Sequence, residues 1–425
     1  MDFQEVTQMD APFVDTSLER NAPAASSKDF YAKNERLQLL HKAWSPWYAA
    51  LKQTFPVYLS IHVAFLVISF VAVLFSGPAT PPHNLPIRTL WDSWKVWDTL
   101  HYLHIASQGY AHVPSDTAYF PLYPLLTRIG AIFTRSDYAS GLLIVNIAGL
   151  VMLVVLYRLV EEEFDSKRAE RTILYISIFP AAFFFSAMYS EALFLSLIII
   201  GFYSMRHGYW WIAGFSGFLA CLTRSAGILF TLPFLYEYLQ QRNFNLRAIR
   251  LNILAICLMP AGMVTFALYC YLRFHNPLLF LQVEAGWRRY LRFPWHGIKE
   301  ALLSLFNSKA ILSFLFIRNI LDLIPVLLIL AVLVLSFCGP WRFSRSQWSY
   351  GIFAVAIFLF SISFPIDHFA YPLASTTRYL LAVFPAFIIL AAIGKNRTFN
   401  LLYISISVPI LFFFLTQFIT GYWVT

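Results

Sequence analysis

From residue 55 to the C-terminus the chain is a succession of apolar runs, most of them close to the length that crosses a bilayer. A span takes about 20 predominantly apolar residues, fewer where neighbours shield its ends. Eleven segments qualify: 55–76, 141–160, 172–188, 190–206, 209–223, 225–241, 250–272, 311–337, 348–364, 379–394 and 399–419. Backbone amides inside lipid must satisfy one another, and runs of this length do so as helices. The expected fold class is therefore an all-α polytopic membrane protein of about 11 spans. Composition agrees: 59% of the residues are hydrophobic and only 12% charged, against about 25% charged in soluble domains. Aromatics reach 18%, which suits interfacial anchors and aromatic-walled cavities. Pro180, Pro233, Pro260, Pro325, Pro385 and Pro409 fall in or near these runs, where membrane helices tolerate proline.

The expected organisation is a cytoplasmic tail with an interfacial helix over 1–54 and one membrane domain over 55–425. Residues 1–35 are polar and contain Asp2, Glu5, Asp10, Asp15 and Glu19, so no cleavable signal peptide is expected there. Their composition, with Ala24-Ala25-Ser26-Ser27, is that of a disordered tail. Over 36–54, bases alternate with Leu and Trp (Arg36, Leu39, Leu40, Lys42, Trp44, Trp47, Lys52), the pattern of a short helix lying on a membrane surface.

With the tail cytoplasmic, Arg158, Lys167, Arg168, Arg171, Arg206, Arg242, Arg247, Arg250, Arg342, Arg345, Lys395 and Arg397 all fall on the cytoplasmic side, as the positive-inside rule asks. The net charge of +9 thus reflects membrane topology and points to no nucleic-acid partner. The four cysteines, Cys221, Cys257, Cys270 and Cys338, lie in apolar runs without metal-ligand spacing and read as small buried hydrophobes. Three longer connections, 77–140, 273–310 and 365–378, then share the outer face.

The first outer connection carries the strongest chemical signal. Residues 97–107 have helical spacing, and Asp98, His101, Tyr102 and Ile105 form one stripe of that helix. A carboxylate held at the lipid–water boundary beside an imidazole suits a general base, which must hydrogen-bond the hydroxyl it deprotonates. The alternative is that Asp98 merely caps the helix, since Asp is a favoured N-cap. On chemistry alone the two readings are even, and Asp92 is a second candidate acid. His101 and His104, three residues apart, could meet one metal, with Asp98, His112 and Asp116 in reserve. No matching ligand set stands out in the outer loops, so no metal and no cofactor is expected.

The 273–310 loop breaks the charge rule with Arg273, Arg288, Arg289, Arg292, Lys299 and Lys309. Bases on that side suit a phosphate, such as the head group of an anionic lipid; the alternative is that a long loop is exempt. Glu191 stands where two apolar runs meet, as a sugar-hydroxyl ligand or as the first acid of a helix that Ser190 caps. Arg224 would grip a phosphate with paired hydrogen bonds or snorkel to the interface. Arg378 has the same two readings, beside Ser375, Thr376 and Thr377. Asp367 and His368 read as solvated loop residues. Arg318 and Asp322, four apart in an apolar run, are expected to pair on one helix face. Phe183, Phe184 and Phe185 read as packing or lipid contacts.

The string Trp97-Asp98-x-x-His101-Tyr102-x-x-Ile105-Ala106-x-x-Gly109-Tyr110, followed by Ala118-Tyr119-Phe120-Pro121-Leu122-Tyr123-Pro124, resembles the first luminal loop of the GPI mannosyltransferase 2 (PIG-V-like) family. Three further blocks agree in order: Pro180-Ala181-Ala182-Phe183 through Tyr189-Ser190-Glu191-Ala192-Leu193-Phe194, then Thr223-Arg224-Ser225-Ala226-Gly227, then Arg378-Tyr379 with Phe384-Pro385. The resemblance covers roughly residues 90–390. It implies a GT-C-type multi-span helical bundle that takes a sugar, with inversion, from a polyprenyl-phosphate carrier on the non-cytoplasmic face. It also implies an acidic residue in the first outer loop, which falls on Asp98, and no metal. The membrane would be the plasma membrane in a prokaryote and the endoplasmic reticulum in a eukaryote.

Two departures stand out. The Pro-Asn-Phe-type segment of eukaryotic members is missing, the corresponding loop reading Gln282-Val283-Glu284-Ala285-Gly286-Trp287-Arg288-Arg289-Tyr290, and Ala226 replaces the Asn of their Arg-Ser-Asn-Gly. The acceptor, a glycolipid or a glycan, stays open. The expected site set is Asp98 as base, with His101, Tyr102, Glu191, Arg224, Arg288, Arg289 and Arg378 binding substrate. The rival readings are a transporter or flippase for lipid-linked sugars, a sugar-lipid polymerase or ligase, and a non-catalytic scaffold.

Overall fold

The computed structural model describes residues 27–75, 87–110, 113–307, 310–311, 313–422 and 424, with side chains from Trp44 onward. The 1–26 stretch of the expected disordered tail, His112 and Lys309 lie outside the described residues. The chain divides into two units, with the boundary after Tyr48, and the site lies wholly in the second. The described residues are helical almost throughout; their one extended pairing is an isolated bridge between Arg289 and Ile366. A single helix runs Ser27–Phe75, so the boundary expected after residue 54 falls inside it.

Among the described residues five helices are long and apolar enough to cross a membrane: Trp44–Phe75, Asp137–Glu163, Leu251–Phe274, Phe314–Phe337 and Arg397–Ile419. A sixth is formed if Thr376–Ala382 and Phe384–Ile393 make one span bent by 81°. The protein is thus multi-pass; most of the eleven expected segments coincide with helices to within a few residues, but several of these are too short to count as spans by themselves. The expected segment 172–188 departs most. Residues 172–188 do not form one helix: Ser166–Ser177 ends three residues before Pro180, and a 3-10 turn follows at Ala182–Phe185. Proline has no N–H to donate and its ring clashes with the preceding turn, which stops the helix there. Beyond it come Glu191–Arg206, Trp210–Cys221, the 3-10 helix Ser225–Phe230 and Thr231–Gln240. Leu122–Thr134, expected within an outer connection, is a further short apolar helix.

The innermost helices are Glu191–Arg206 and Phe384–Ile393, buried along nearly their whole length. Both are apolar on all sides, the signature of a helix surrounded by protein. Glu191–Arg206 carries a charge at each end. At its C-terminus Arg206 bonds Glu163 and also Glu237, the latter at 2.9 Å, while the fully buried Glu237 accepts from Ser349 at 2.8 Å. This clasp joins four helices by satisfying buried charges with one another, as burial requires. At its N-terminus, 15 residues and about 22 Å away by helical rise, Glu191 faces the cavity described below.

The expected Arg318–Asp322 pair is present at 2.9 Å within the Phe314–Phe337 helix. Cys221 and Cys270 are buried as expected, whereas Cys257 and Cys338 are exposed on the surface of the chain. Cys257 lies where the Leu251–Phe274 helix passes from a 3-10 to an α turn, and Cys338 just past Phe337; apolar character at such positions does not imply protein contact.

Two of the longer connections, 273–310 and 365–378, are stitched together. The Arg292 guanidinium binds Asp367 Oδ2 at 2.6 and 2.9 Å, Asp367 N donates to the Arg288 carbonyl at 2.9 Å, and Arg292 N donates to the Ser363 carbonyl at 2.9 Å. Asp367 is buried, not solvated as expected, because an arginine 75 positions away supplies its counter-charge.

The turn carrying Arg224 is held against the Trp210–Cys221 helix by Gly227. A Cβ there would stand 2.6 Å from the backbone carbon of Ala220 and 2.6 Å from the amide nitrogen of Cys221. Gly227→Ala is therefore expected to cost about 1–3 kcal/mol through overpacking and to lower the thermal midpoint of the purified protein. Gly286→Ala, whose Cβ meets nothing within 4 Å, is expected to leave it unchanged.

Candidate active site

A cavity of about 560 Å³ opens among several elements, the Ala118–Phe120 stretch and the Trp348–Ile362 helix among them. Its walls also come from the Asp98–Gln108 helix, the N-terminus of Glu191–Arg206, the Thr223–Ala226 turn, the 280–289 stretch and the Ser375–Ala382 segment. Asp98, His101, Tyr102, Glu191, Arg224, Arg289 and Arg378 all line it. Arg288 does not: it is exposed, with its guanidinium on the His368 carbonyl at 3.4 Å. Asp92 is also outside, paired with Lys95 at 2.6 Å.

The wall charges form a chain of contacts centred on Arg378. Its Nη1 donates to Asp98 Oδ2 at 2.6 Å, and its Nε lies 3.1 Å from Glu191 Oε1. Arg224 Nη1 reaches the same Glu191 oxygen at 2.5 Å. The other Asp98 oxygen accepts from the Tyr119 hydroxyl at 3.1 Å, and the Asp98 amide donates to the Tyr189 hydroxyl at 3.3 Å. Ser190 Oγ accepts from Tyr102 at 2.9 Å and from Arg224 at 3.3 Å, so its hydroxyl is engaged in the cavity wall and makes no helix cap. The Arg378 guanidinium lies among the rings of Phe184, Tyr189 and Tyr379, at 5.3, 5.3 and 5.1 Å, a cation–π environment that suits a weakly hydrated cation.

Local backbone geometry presents the two central charges. The Asp98 helix begins at Asp98 itself, preceded by Trp97 at φ 56°. The short helix bearing Arg378 is preceded by Ser375 at φ 68°. A left-handed non-glycine residue costs of order 1–3 kcal/mol and persists only where surrounding structure enforces it. Asp98 thus sits one position past the N-cap, and its carboxylate turns to Arg378 and Tyr119.

His101 stacks on Tyr119, with centroids 4.7 Å apart and planes at 15°, and its Nδ1 meets Asp116 Oδ1 at 2.8 Å. His104 Nδ1 meets the other Asp116 oxygen at 2.6 Å. Both imidazoles expected as possible metal ligands are thus bound to one buried carboxylate. Among the described residues no group of three or more His, Cys, Asp and Glu is placed to hold a metal ion. Arg289 points its guanidinium at the Phe364 and Ala374 carbonyls, at 3.0 and 3.1 Å. Of the bases of the 273–310 loop, Arg289 and Arg292 hold the neighbouring connection.

Sequence reasoning passed over Tyr119, Tyr189, Glu284, Trp287 and Tyr379. The first two and Tyr379 stand inside the quoted blocks, adjacent to candidates already chosen, so proximity in the motif was the available signal. Glu284 and Trp287 had a fainter one, an acid and an indole three apart in a loop rich in arginine.

The family described as Mannosyltransferase (PIG-V) matches residues 70–341, more than half of the chain. The chain is similar to GPI mannosyltransferase 2 of Yarrowia lipolytica, 28% identical over 144 residues, which are 33% of this chain and 40% of that protein. It is also similar to GPI mannosyltransferase 2 of Drosophila pseudoobscura pseudoobscura, 31% identical over 133 residues, 28% of either chain. The matched stretches thus span less than half of each relative. Among solved structures, ArnT from Cupriavidus metallidurans bound to undecaprenyl phosphate is 18% identical, with 80% of this chain and 60% of that one covered at a TM-score of 0.49. The apo oligosaccharyltransferase of Archaeoglobus fulgidus is 15% identical, with 86% and 56% covered at a TM-score of 0.44.

The Asp116 hydrogen bond raises the His101 imidazole above its ordinary range, with burial opposing it. A raised folded value means that this contact stabilises fully below the unfolded value of about 6.5 and loses its effect as pH climbs through the folded one. The thermal-midpoint gap between wild type and Asp116→Asn is accordingly expected to be larger at pH 6 than at pH 9. A gap that widens with pH would contradict the assignment.

Proposed function

The chain belongs to the PIG-V mannosyltransferase family, and from that premise we propose that it transfers mannose from a polyprenyl-phosphate carrier to an acceptor hydroxyl, with Asp98 as the base. In this reading the acceptor oxygen gives its proton to the Asp98 carboxylate and attacks the anomeric carbon. The bond from that carbon to the phosphate oxygen breaks, the configuration inverts, and the lipid phosphate leaves as an anion. The leaving group is already charged, so arginine can stabilise it without a strong general acid.

The observation that carries the reading is the pairing of Asp98 with Arg378 at 2.6 Å on the wall of one cavity. An acid fit to take a proton and a cation fit to hold phosphate occupy adjacent positions. The lining arginines, Arg224, Arg289 and Arg378, match the acids Asp98, Glu191 and Glu284 in number. A phosphate entering here competes with Asp98 and Glu191 for Arg378 and Arg224. Donor binding thereby loosens the hold on Asp98 and frees its carboxylate for the acceptor. Guanidinium suits this exchange because it grips carboxylate and phosphate with the same fork of donors. A transporter or flippase would have use for the arginines but none for an acid beside them.

The cavity is assigned to the non-cytoplasmic face, with the N-terminus cytoplasmic. The acceptor is a glycolipid or a glycan. The membrane is the endoplasmic reticulum in a eukaryote and the plasma membrane in a prokaryote. His101 and Tyr102 act through Tyr119 and Ser190, and Arg288 lies outside the transfer site.

Asp98→Asn keeps the shape and removes the base. Transfer of radiolabelled mannose from polyprenyl-phosphate mannose is expected to fall about 10²- to 10⁴-fold at normal expression. Near-wild-type transfer by this variant would overturn the role of Asp98.

A further inference from the structure

We propose that Glu284 and Trp287 form a subsite for one sugar ring of the acceptor, which deepens the transfer reading and rests on it for the word acceptor. Both residues belong to one 3-10 turn, Val283–Trp287. With three residues per turn, positions i and i+3 eclipse, so carboxylate and indole project from the same face. Both line the cavity.

The three cavity acids differ in how they are engaged. Asp98 and Glu191 are each bound to arginine. Glu284 has no side-chain hydrogen bond or ion pair among the described residues, and Arg289 beside it is committed to backbone carbonyls. Burial pushes the Glu284 carboxyl above the usual carboxylate range, although Arg289 and Arg224 pull the other way. A sequestered carboxylate without a donor is costly, and a ligand that brings O–H donors removes that cost. The surrounding charge selects the ligand class. Beside Glu284 the nearby arginines disfavour a cation, the free carboxylate disfavours a second anion next to the proposed lipid phosphate, and a neutral polyol meets neither barrier.

Trp287 supplies the apolar surface against which the C–H face of a pyranose packs. Its ring stands perpendicular to Tyr119, with centroids 6.3 Å apart. The Tyr119 hydroxyl is in turn bonded to Asp98. A sugar resting on Trp287 with its hydroxyls on Glu284 is thus one aromatic ring removed from the proposed base. Mostly apolar walls with a few fixed polar groups are the usual make-up of a small-molecule site.

The test is equilibrium binding of octyl α-D-mannoside to the full chain in phosphatidylcholine nanodiscs prepared without sugar detergents, read by saturation-transfer NMR. Octanol serves as the tail-only control. Wild type is expected to saturate the ring protons. Glu284→Gln is expected to weaken binding about tenfold or more, as loss of a hydrogen bond to a charged group does. Trp287→Ala is expected to abolish ring contact and Trp287→Phe to retain part of it, each variant keeping the wild-type thermal midpoint. The subsite is overturned if Glu284→Gln and Trp287→Ala bind the mannoside as wild type does, or if wild type binds it no better than octanol. Because binding needs no turnover, the two readings fail separately. Ring binding without any mannosyl transfer sinks the transfer reading and supports the subsite. Transfer with Glu284-independent binding sinks the subsite alone.

Discussion

One guanidinium organises the cavity. Arg378 is buried and binds a carboxylate that arrives from 280 residues earlier in the chain, while its Nε lies against a second, Glu191. A buried cation is tolerated only when paired, and removal of one partner leaves a charge stranded in a medium that cannot solvate it. Arg378 therefore ties the 77–140 connection, the N-terminus of the Glu191–Arg206 helix and the 365–378 connection into one wall. Its rigidity has a local source as well, since the aromatic rings of Phe184, Tyr189 and Tyr379 confine it.

The same pairing makes the wall responsive. Carboxylate and phosphate are interchangeable partners for guanidinium, so an incoming lipid phosphate need not break an apolar core to gain its counter-charge. In the proposed transfer it would take over an arginine and release an acid. The left-handed residues Trp97 and Ser375 precede the helices that carry Asp98 and Arg378, and both side chains line the cavity. At the far end of the Glu191–Arg206 helix, the Arg206 clasp fixes the helix that carries Glu191. Strain and charge at the cavity are thus borne by a well-packed frame.

Much of this was legible in the sequence residue by residue. Glu191, Arg224 and Arg378 stood out because an ionisable group at the edge of an apolar run is costly unless it has work or a partner. Asp98 stood out because it lies on a helical stripe with His101 and Tyr102. What the sequence did not carry was who meets whom. The Asp98–Arg378 and Arg292–Asp367 contacts join positions 280 and 75 apart, and periodicity reports only near neighbours. Asp367 was misread as solvated for that reason. Arg288 and Arg289 looked equivalent, yet Arg288 sits at φ 57°, and that left-handed residue separates an exposed guanidinium from a buried one. The 172–188 segment read as a span because hydropathy sums over a window and ignores the break that Pro180 imposes. Glu284 went unnoticed because a 3-10 turn is too short to show a period.

The most direct measurement is a cryo-EM structure of the full chain in nanodiscs with a non-hydrolysable polyprenyl-phosphate mannose analogue bound. The expected result places the lipid phosphate within hydrogen-bond distance of Arg378 or Arg224, with the Asp98 carboxylate released toward the anomeric carbon. A phosphate seated on Arg288 and the outer surface of the 273–310 loop, with Asp98 still bound to Arg378 and turned away from the sugar, would contradict it.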